Sequence, residues 1–163
     1  MIWIDADACP RPAKEIVFKA AKRLGIHVKM VANQWMRTPA STHIELVLVE
    51  SGLDVADDAI AEGVSEGDLV ITADIPLAAR IVDRGALGID PRGLVYSPEN
   101  VKEKLATRNL LAELRDVGMT GTGPPPYKPK DRSKFASSLD RLLTQMLKDE
   151  AEKADSSPHS GMN

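Results

Sequence analysis

Apolar residues recur along this chain in two alternating rhythms. Short apolar runs alternate with stretches in which apolar side chains return every three or four positions. Met1–Asp5 reads as a buried strand, with Ile2, Trp3 and Ile4 ahead of the first acid. A helix follows, opened by Pro10 and Pro12, carrying Ile16, Val17, Ala20, Ala21 and Leu24 at helical spacing and closed by Gly25. Val28–Ala32 is a second strand, Gln34–Thr42 a loop and Ile44–Val49 a third strand. After a turn at Gly52–Asp54, Val55–Gly63 is a short helix and Leu69–Thr72 a fourth strand, apolar up to its last residue. Ile75–Arg84 is a helix with Pro76 in its first turn, and Gly93–Tyr96 is a fifth strand. Ser97-Pro98-Glu99 combines a hydroxyl cap, an early proline and an acid, and predicts a helix to about Val117. Thr120–Lys130, rich in Gly, Thr and Pro, predicts an irregular loop. Asp131 to about Leu147 is a last amphipathic helix with Phe135, Leu139, Leu142, Leu143 and Met146 on one face.

Alternating strands and helices predict a three-layer α/β/α fold with a mainly parallel sheet. The 163 residues fit one domain over 1–148, and the aperiodic stretch 149–163 reads as a disordered tail. With 4% aromatic residues, aliphatic side chains must fill the core, as in sheets covered on both faces. The single cysteine, Cys9, excludes an internal disulfide and suggests a reducing compartment. No apolar run is long enough to span a bilayer and no signal-peptide pattern opens the chain, so a cytoplasmic location without a membrane partner is expected. The net charge of −3 is unevenly spread: residues 1–96 sum to −4, 97–148 to +4 and 149–163 to −3. A basic C-terminal segment beside an acidic body is one signature of a phosphate-binding face, although solvated helix faces give the same asymmetry.

Ligands of parallel sheets sit beyond the carboxyl ends of the strands, and aspartates gather at those ends here. Asp5 and Asp7 follow the first strand, and residues two apart in an extended chain point the same way. Asp74 follows the fourth strand, and Asp57 and Asp58 open the helix before it. Converging carboxylates repel unless a cation or a proton intervenes, and hard cations such as Mg2+ or Mn2+ favour oxygen ligands. Asp5, Asp7, Asp57, Asp58 and Asp74 are therefore candidate metal ligands, while helix capping explains Asp7 and Asp74 equally well one at a time. Cys9 reads as a small packed residue, and His27, His43 and His159 show no metal-ligand spacing.

Ile4-Asp5-Ala6-Asp7-Ala8-Cys9-Pro10 and Val31-Ala32-Asn33 resemble the opening of the bacterial YaiI/YqxD family. So do Gly67-Asp68-Leu69-Val70-Ile71-Thr72-Ala73-Asp74-Ile75-Pro76-Leu77-Ala78, Pro91-Arg92-Gly93, and Asp131-Arg132 with Phe135 and Leu139. The resemblance spans the chain to about Leu147. It implies a PIN-like fold, a group that includes many Mg2+- or Mn2+-dependent ribonucleases. It also implies Asp5, Asp57 and Asp74 as catalytic metal-binding acids, with Asp7 and Asp58 in support. Thr72 would line the site, with RNA as the substrate by the same analogy. Apart from the resemblance, Arg132, with Lys128, Lys130, Lys134 and Arg108, reads either as a phosphate contact or as surface charge, and Asn33 is a further candidate for substrate binding. One departure stands out: Ile75-Pro76-Leu77-Ala78 follows Asp74 where such nucleases often carry another acid, and the next is Asp83. Two other readings fit the residues. One is a non-catalytic module binding metal, nucleotide or RNA. The other is a phosphatase with Asp5 as nucleophile and Asp7 as acid, in which Cys9 stands where Thr or Val is usual.

Overall fold

Six strands form one sheet in the order β3-β2-β1-β4-β5-β6. In the computed structural model, which describes residues 1–118 and 125–156, they are β1 (Ile2–Asp5), β2 (Val28–Ala32), β3 (Ile44–Leu48), β4 (Leu69–Ile71), β5 (Leu87–Ile89) and β6 (Val95–Tyr96). All neighbours pair in parallel except β5 and β6. The helices are α1 (Arg11–Leu24), α2 (Val55–Gly63), α3 (Ile75–Asp83), α4 (Pro98–Asp116) and α5 (Pro129–Ser156).

Strand alternation sorts the side chains into two layers. Ile2 and Ile4 of β1, Leu69 and Ile71 of β4, and Val28 and Met30 of β2 face a core closed by Ala13 and Val17 of α1 and by Phe135, Leu139 and Leu143 of α5. Trp3, Val31 and Val70 face the opposite way, onto Ile60 and Ala61 of α2 and Leu77 and Ile81 of α3. A smaller cluster of Ala78, Tyr96 and Val101 seats α4 outside α3. The result is the expected α/β/α sandwich. No helix among the described residues is long and apolar enough to cross a membrane.

Three elements, β5, β6 and α5, differ from the sequence reading. β5 has only three residues with Gly88 at its centre, so it carries no apolar run to detect; an added Cβ at Gly88 would lie 3.0 Å from the side chains of both Ile81 and Tyr96, a tight fit. The strand expected over Gly93–Tyr96 is only Val95–Tyr96, because Gly93 belongs to a turn at φ 94°. α5 begins at Pro129, inside the expected loop, and runs to Ser156, past the expected end near Leu147; its last turns are exposed, so no buried stripe marks them. Of the expected loop and tail, residues 120–124 and 157–163, with His159, lie outside the described residues. β2 and β3 are parallel, yet residues 33–43 connect them without a regular helix, where a helix is the usual crossover.

The turn after β5 is docked tightly on α5. The Gly93 carbonyl accepts a bond from buried Ser138 Oγ at 2.8 Å, and a Cβ on Gly93 would lie 2.7 Å from the Lys134 backbone. Gly93→Ala combines a left-handed φ with a backbone clash. It is expected to destabilise the fold by about 2 kcal/mol or more, read as a lower urea midpoint with an unchanged m-value.

Candidate functional site

Strand order reverses between β1 and β4. The chain leaves β1 through α1 on one face and leaves β4 through α3 on the other. Such a switch point is where open α/β sheets bind ligands, and the structure puts acids on both sides of it. Asp5 is the last residue of β1, and Thr72 follows β4. Both share the face of Trp3 and Val70, the side of α2 and α3. Thr72 Oγ1 donates to Asp5 Oδ2 at 3.0 Å across the junction and accepts the Asp74 backbone N–H at 3.0 Å. The Thr72 carbonyl in turn accepts from Tyr96 Oη at 3.0 Å. Thr72 thus ties two strands and the start of a helix to one carboxylate.

Asp74 caps α3, its Oδ1 accepting the Leu77 N–H at 2.9 Å. Capping and membership of the cluster are therefore compatible. Asp57 arrives from α2, which starts after the carboxyl end of β3 and carries Asp57 and Asp58 in its first turn. Burial, the charges of Asp74, Asp5 and Asp54, and a hydrogen bond that protonated Asp57 gives Asp74 push the Asp57 carboxyl up to about 6. Asp5, almost fully buried, is also raised, first by burial and then by Asp74 and Asp7, against the lowering effect of its bond from Thr72. Among the described residues Asp5, Asp57 and Asp74 enter no ion pair.

The other sequence candidates are placed differently. The expectation that Asp7 points with Asp5 is overturned, because Ala6–Ala8 is a turn of 3-10 helix and not an extended strand. Asp7 swings out to solvent and accepts the Asn33 N–H at 2.8 Å; it caps no helix, since Pro10 precedes α1. Asn33 contributes its backbone there and fixes the end of β2 to the β1 turn. Asp58 is exposed and bonded to Arg80 Nη1 at 2.7 Å. Arg132 is exposed on the first turn of α5, next to the half-buried Asp131 that holds Arg92 Nη1 at 3.1 Å. Cys9 is buried in the apolar core and its thiol is pushed up to about 12 by burial, as befits a packed residue.

The five acids do not form a ready-made cage: among the described residues, no three His, Cys, Asp or Glu side chains are gathered closely enough to enclose a metal ion. The donor set is nevertheless all carboxylate and hydroxyl oxygen, the chemistry of a hard cation. Mg2+ in particular is held by one or two protein carboxylates while keeping several waters.

Three residues with no assigned role also stand on this edge. Asp90, after β5, accepts the Arg92 and Leu94 N–H groups at 2.9 and 3.0 Å and shapes the turn. Tyr96 has its hydroxyl proton held more tightly by burial and by the Asp90 and Asp74 charges. Arg92 bonds Asp131 and the Pro125 carbonyl and lies 5.9 Å from the centre of the Tyr127 ring. Tyr127 Oη donates to the Pro91 carbonyl at 2.7 Å, which brings the residues just before α5 against this edge. The run Pro91-Arg92-Gly93 was the available signal for this group.

The profile of the family described as "Uncharacterized BCR, YaiI/YqxD family" matches residues 3–145. A UPF0178 protein of Geobacter sulfurreducens is 55% identical over 148 residues, covering 90% of this chain and 98% of the relative. UPF0178 proteins of Maridesulfovibrio salexigens and Xanthomonas campestris are 49% and 50% identical, over 90% and 88% of this chain and 97% and 90% of the relatives. No solved structure gives a significant match.

The raised Asp57 predicts a specific pH dependence. Its folded pKa, about 6, lies above the ordinary carboxyl value of 3.8, so the native state holds more protons than the unfolded state between these values. Stability must therefore fall as pH rises through that window. Asp57→Asn should remove the fall and stabilise the protein at pH 7 by about 1 kcal/mol, a figure reduced for partial solvation, while changing little at pH 4. Urea melts of both proteins at pH 4 and pH 7 check this.

Proposed function

The chain belongs to the YaiI/YqxD family, and from the carboxylate cluster at its switch point we propose that it is a divalent-metal-dependent phosphodiesterase acting on RNA. One observation carries the reading. Asp5, Asp57 and Asp74, drawn from three separate elements, repel one another at a strand edge with no ion-pair partner among the described residues, and protonating Asp57 relieves the repulsion. A divalent cation relieves the same repulsion without a proton. The resemblance to PIN-like ribonucleases favours RNA by analogy alone.

Asp5 and Asp74 would hold Mg2+ or Mn2+, each already oriented by a hydrogen bond from Thr72 or from the α3 backbone. When bound, the cation neutralises charge on the scissile phosphate and makes water a better nucleophile. Asp57, with proton affinity near neutrality, takes the proton of the attacking water. Asp7 and Asp58 act from outside, Asp7 by holding Asn33 beside the β1 turn and Asp58 by holding Arg80.

A second reading, a module that binds metal or RNA without turnover, is favoured by the absence of a three-acid cage among the described residues and of an acid directly after Asp74. One experiment separates the two: single-stranded RNA incubated in Mn2+ or in EDTA, with thermal melts in parallel. The phosphodiesterase predicts cleavage in Mn2+ only, falling below about pH 6, and reduced roughly 100-fold or more in Asp57→Asn. Mn2+ should raise the melting temperature of the wild type more at pH 7 than at pH 5, because cation and proton compete. It should not raise that of Asp5→Asn/Asp74→Asn. Metal stabilisation with no cleavage would favour the module. No metal effect and no cleavage, even with a nucleotide present, would reduce Asp74 to a helix cap and sink the phosphodiesterase.

A further inference from the structure

The irregular crossover between β2 and β3 leaves an open channel beside α1. Its upper part, about 540 Å³, is walled by Arg11, Lys14 and Arg37 and floored by Phe18, Met30 and Met36. A second hollow of about 260 Å³ shares Phe18 and Pro39 with it and continues past Lys19 and Lys22. Together they run along α1 for roughly 16 Å, taking 1.5 Å per residue from Arg11 to Lys22. Five cations and one acid, Glu15, line this path, in a part of the chain whose sum is negative.

The cations are available. Arg11 meets Glu15 at 3.4 Å, but both side chains are mostly exposed, so the pair adds little. Lys14 is half-buried, with only the Ala6 carbonyl at 3.5 Å and the Met36 sulfur at 3.6 Å as partners and no ion pair among the described residues. Its ammonium reaches the carbonyl of Ala6, the residue after Asp5, so one end of the channel meets the turn that follows β1, across the strand from the carboxylates. The crossover also holds Trp35 at 74% exposure, next to the channel residues Met36 and Arg37.

We propose that this channel binds a single strand of nucleic acid, phosphates against Arg11, Lys14, Arg37 and Lys22, and an unstacked base on Trp35. The substrate class rests on the phosphodiesterase reading; the location does not. Spaced cations along an apolar floor beside an exposed indole match a backbone that alternates charge with flat bases. A duplex, whose bases are already stacked, has nothing to place on Trp35. None of the basic residues of the C-terminal segment lines this path; they lie on α4, just before α5 and along α5.

The test is fluorescence anisotropy with a labelled mixed-sequence RNA decamer in EDTA, so that neither metal nor cleavage contributes. Arg11→Gln/Lys14→Gln/Arg37→Gln should weaken binding at least tenfold. It should also flatten the slope of log affinity against log salt by about 2, at roughly 0.7 per phosphate contact. Trp35→Ala, at an exposed position where truncation leaves the core intact, should weaken binding about fivefold and keep the salt slope. A DNA decamer should bind within a few-fold of RNA and a duplex far more weakly. Three outcomes would overturn the proposal: unchanged affinity in both variants, a larger loss in Arg108→Gln/Arg132→Gln/Lys134→Gln, or displacement of RNA by a polyglutamate decamer as effective as unlabelled RNA. Mn2+-dependent cleavage that survives such a result leaves the acidic site standing. Channel binding without cleavage has the opposite meaning.

Discussion

The pairing of β1 with β4 is the constraint on which the rest depends. Ile2, Trp3 and Ile4 lie in parallel register with Leu69, Val70 and Ile71, strands separated by more than sixty residues of chain. Right-handed crossovers then force the helices after these two strands onto opposite faces. Whatever ends the two strands is thereby left at a common edge. A threonine and an aspartate end them, joined at 3.0 Å.

That arrangement places acids where burial and repulsion both disfavour them. An apolar edge would hold the sheet together equally well, and replacing Asp57 by a neutral isostere should make it more stable near neutrality. Thr72 offsets part of the cost at Asp5, and the α3 backbone offsets part at Asp74. At Asp57 burial, the neighbouring charges and its hydrogen bond to Asp74 all favour the protonated form, and its carboxyl is pushed up to about 6. A set of carboxylates with fixed members and one titrating near neutral pH differs from a surface ion-pair network, in which opposite charges would meet. Asp58 and Arg80 form that ordinary pair one residue away, and the contrast within one helical turn distinguishes the two uses of an acid.

The acids and the sandwich were legible because both depend on local pattern. Strand ends, helix starts and their period fix which residues reach the carboxyl edge, and alternation fixes which face Asp5 and Thr72 occupy. What escaped the sequence depends on contacts made far along the chain. β5 is held by its neighbours and by room for Gly88, not by its own apolar content. Asp7 is turned by a 3-10 segment and captured by Asn33, a partner set by the β1–β2 register. Arg92 and Tyr127 acquire a place only when α5 docks against the turn at Gly93. The first residues of α5 read as loop because Pro129 and its charged neighbours carry no periodicity until Phe135 is buried.

The crossover at residues 33–43 shows the same limit from the other side. In sequence it is merely polar and irregular, and its consequence appears only once β3 is seen to lie parallel to β2. A loop leaves α1 with a polar wall on one side and an open hydrophobic floor. The molecule thus carries opposite charge on the two sides of β1: carboxylates toward α2 and α3, cations beside α1. The Ala6–Ala8 turn is the narrow element between them, tied to Lys14 through its carbonyl and to β2 through Asp7. A phosphate chain attracted by the cations would be repelled at the carboxylates unless a divalent ion were there first. On the proposed readings the channel would choose the strand and the metal would choose the bond, with attraction and repulsion kept apart by a single strand.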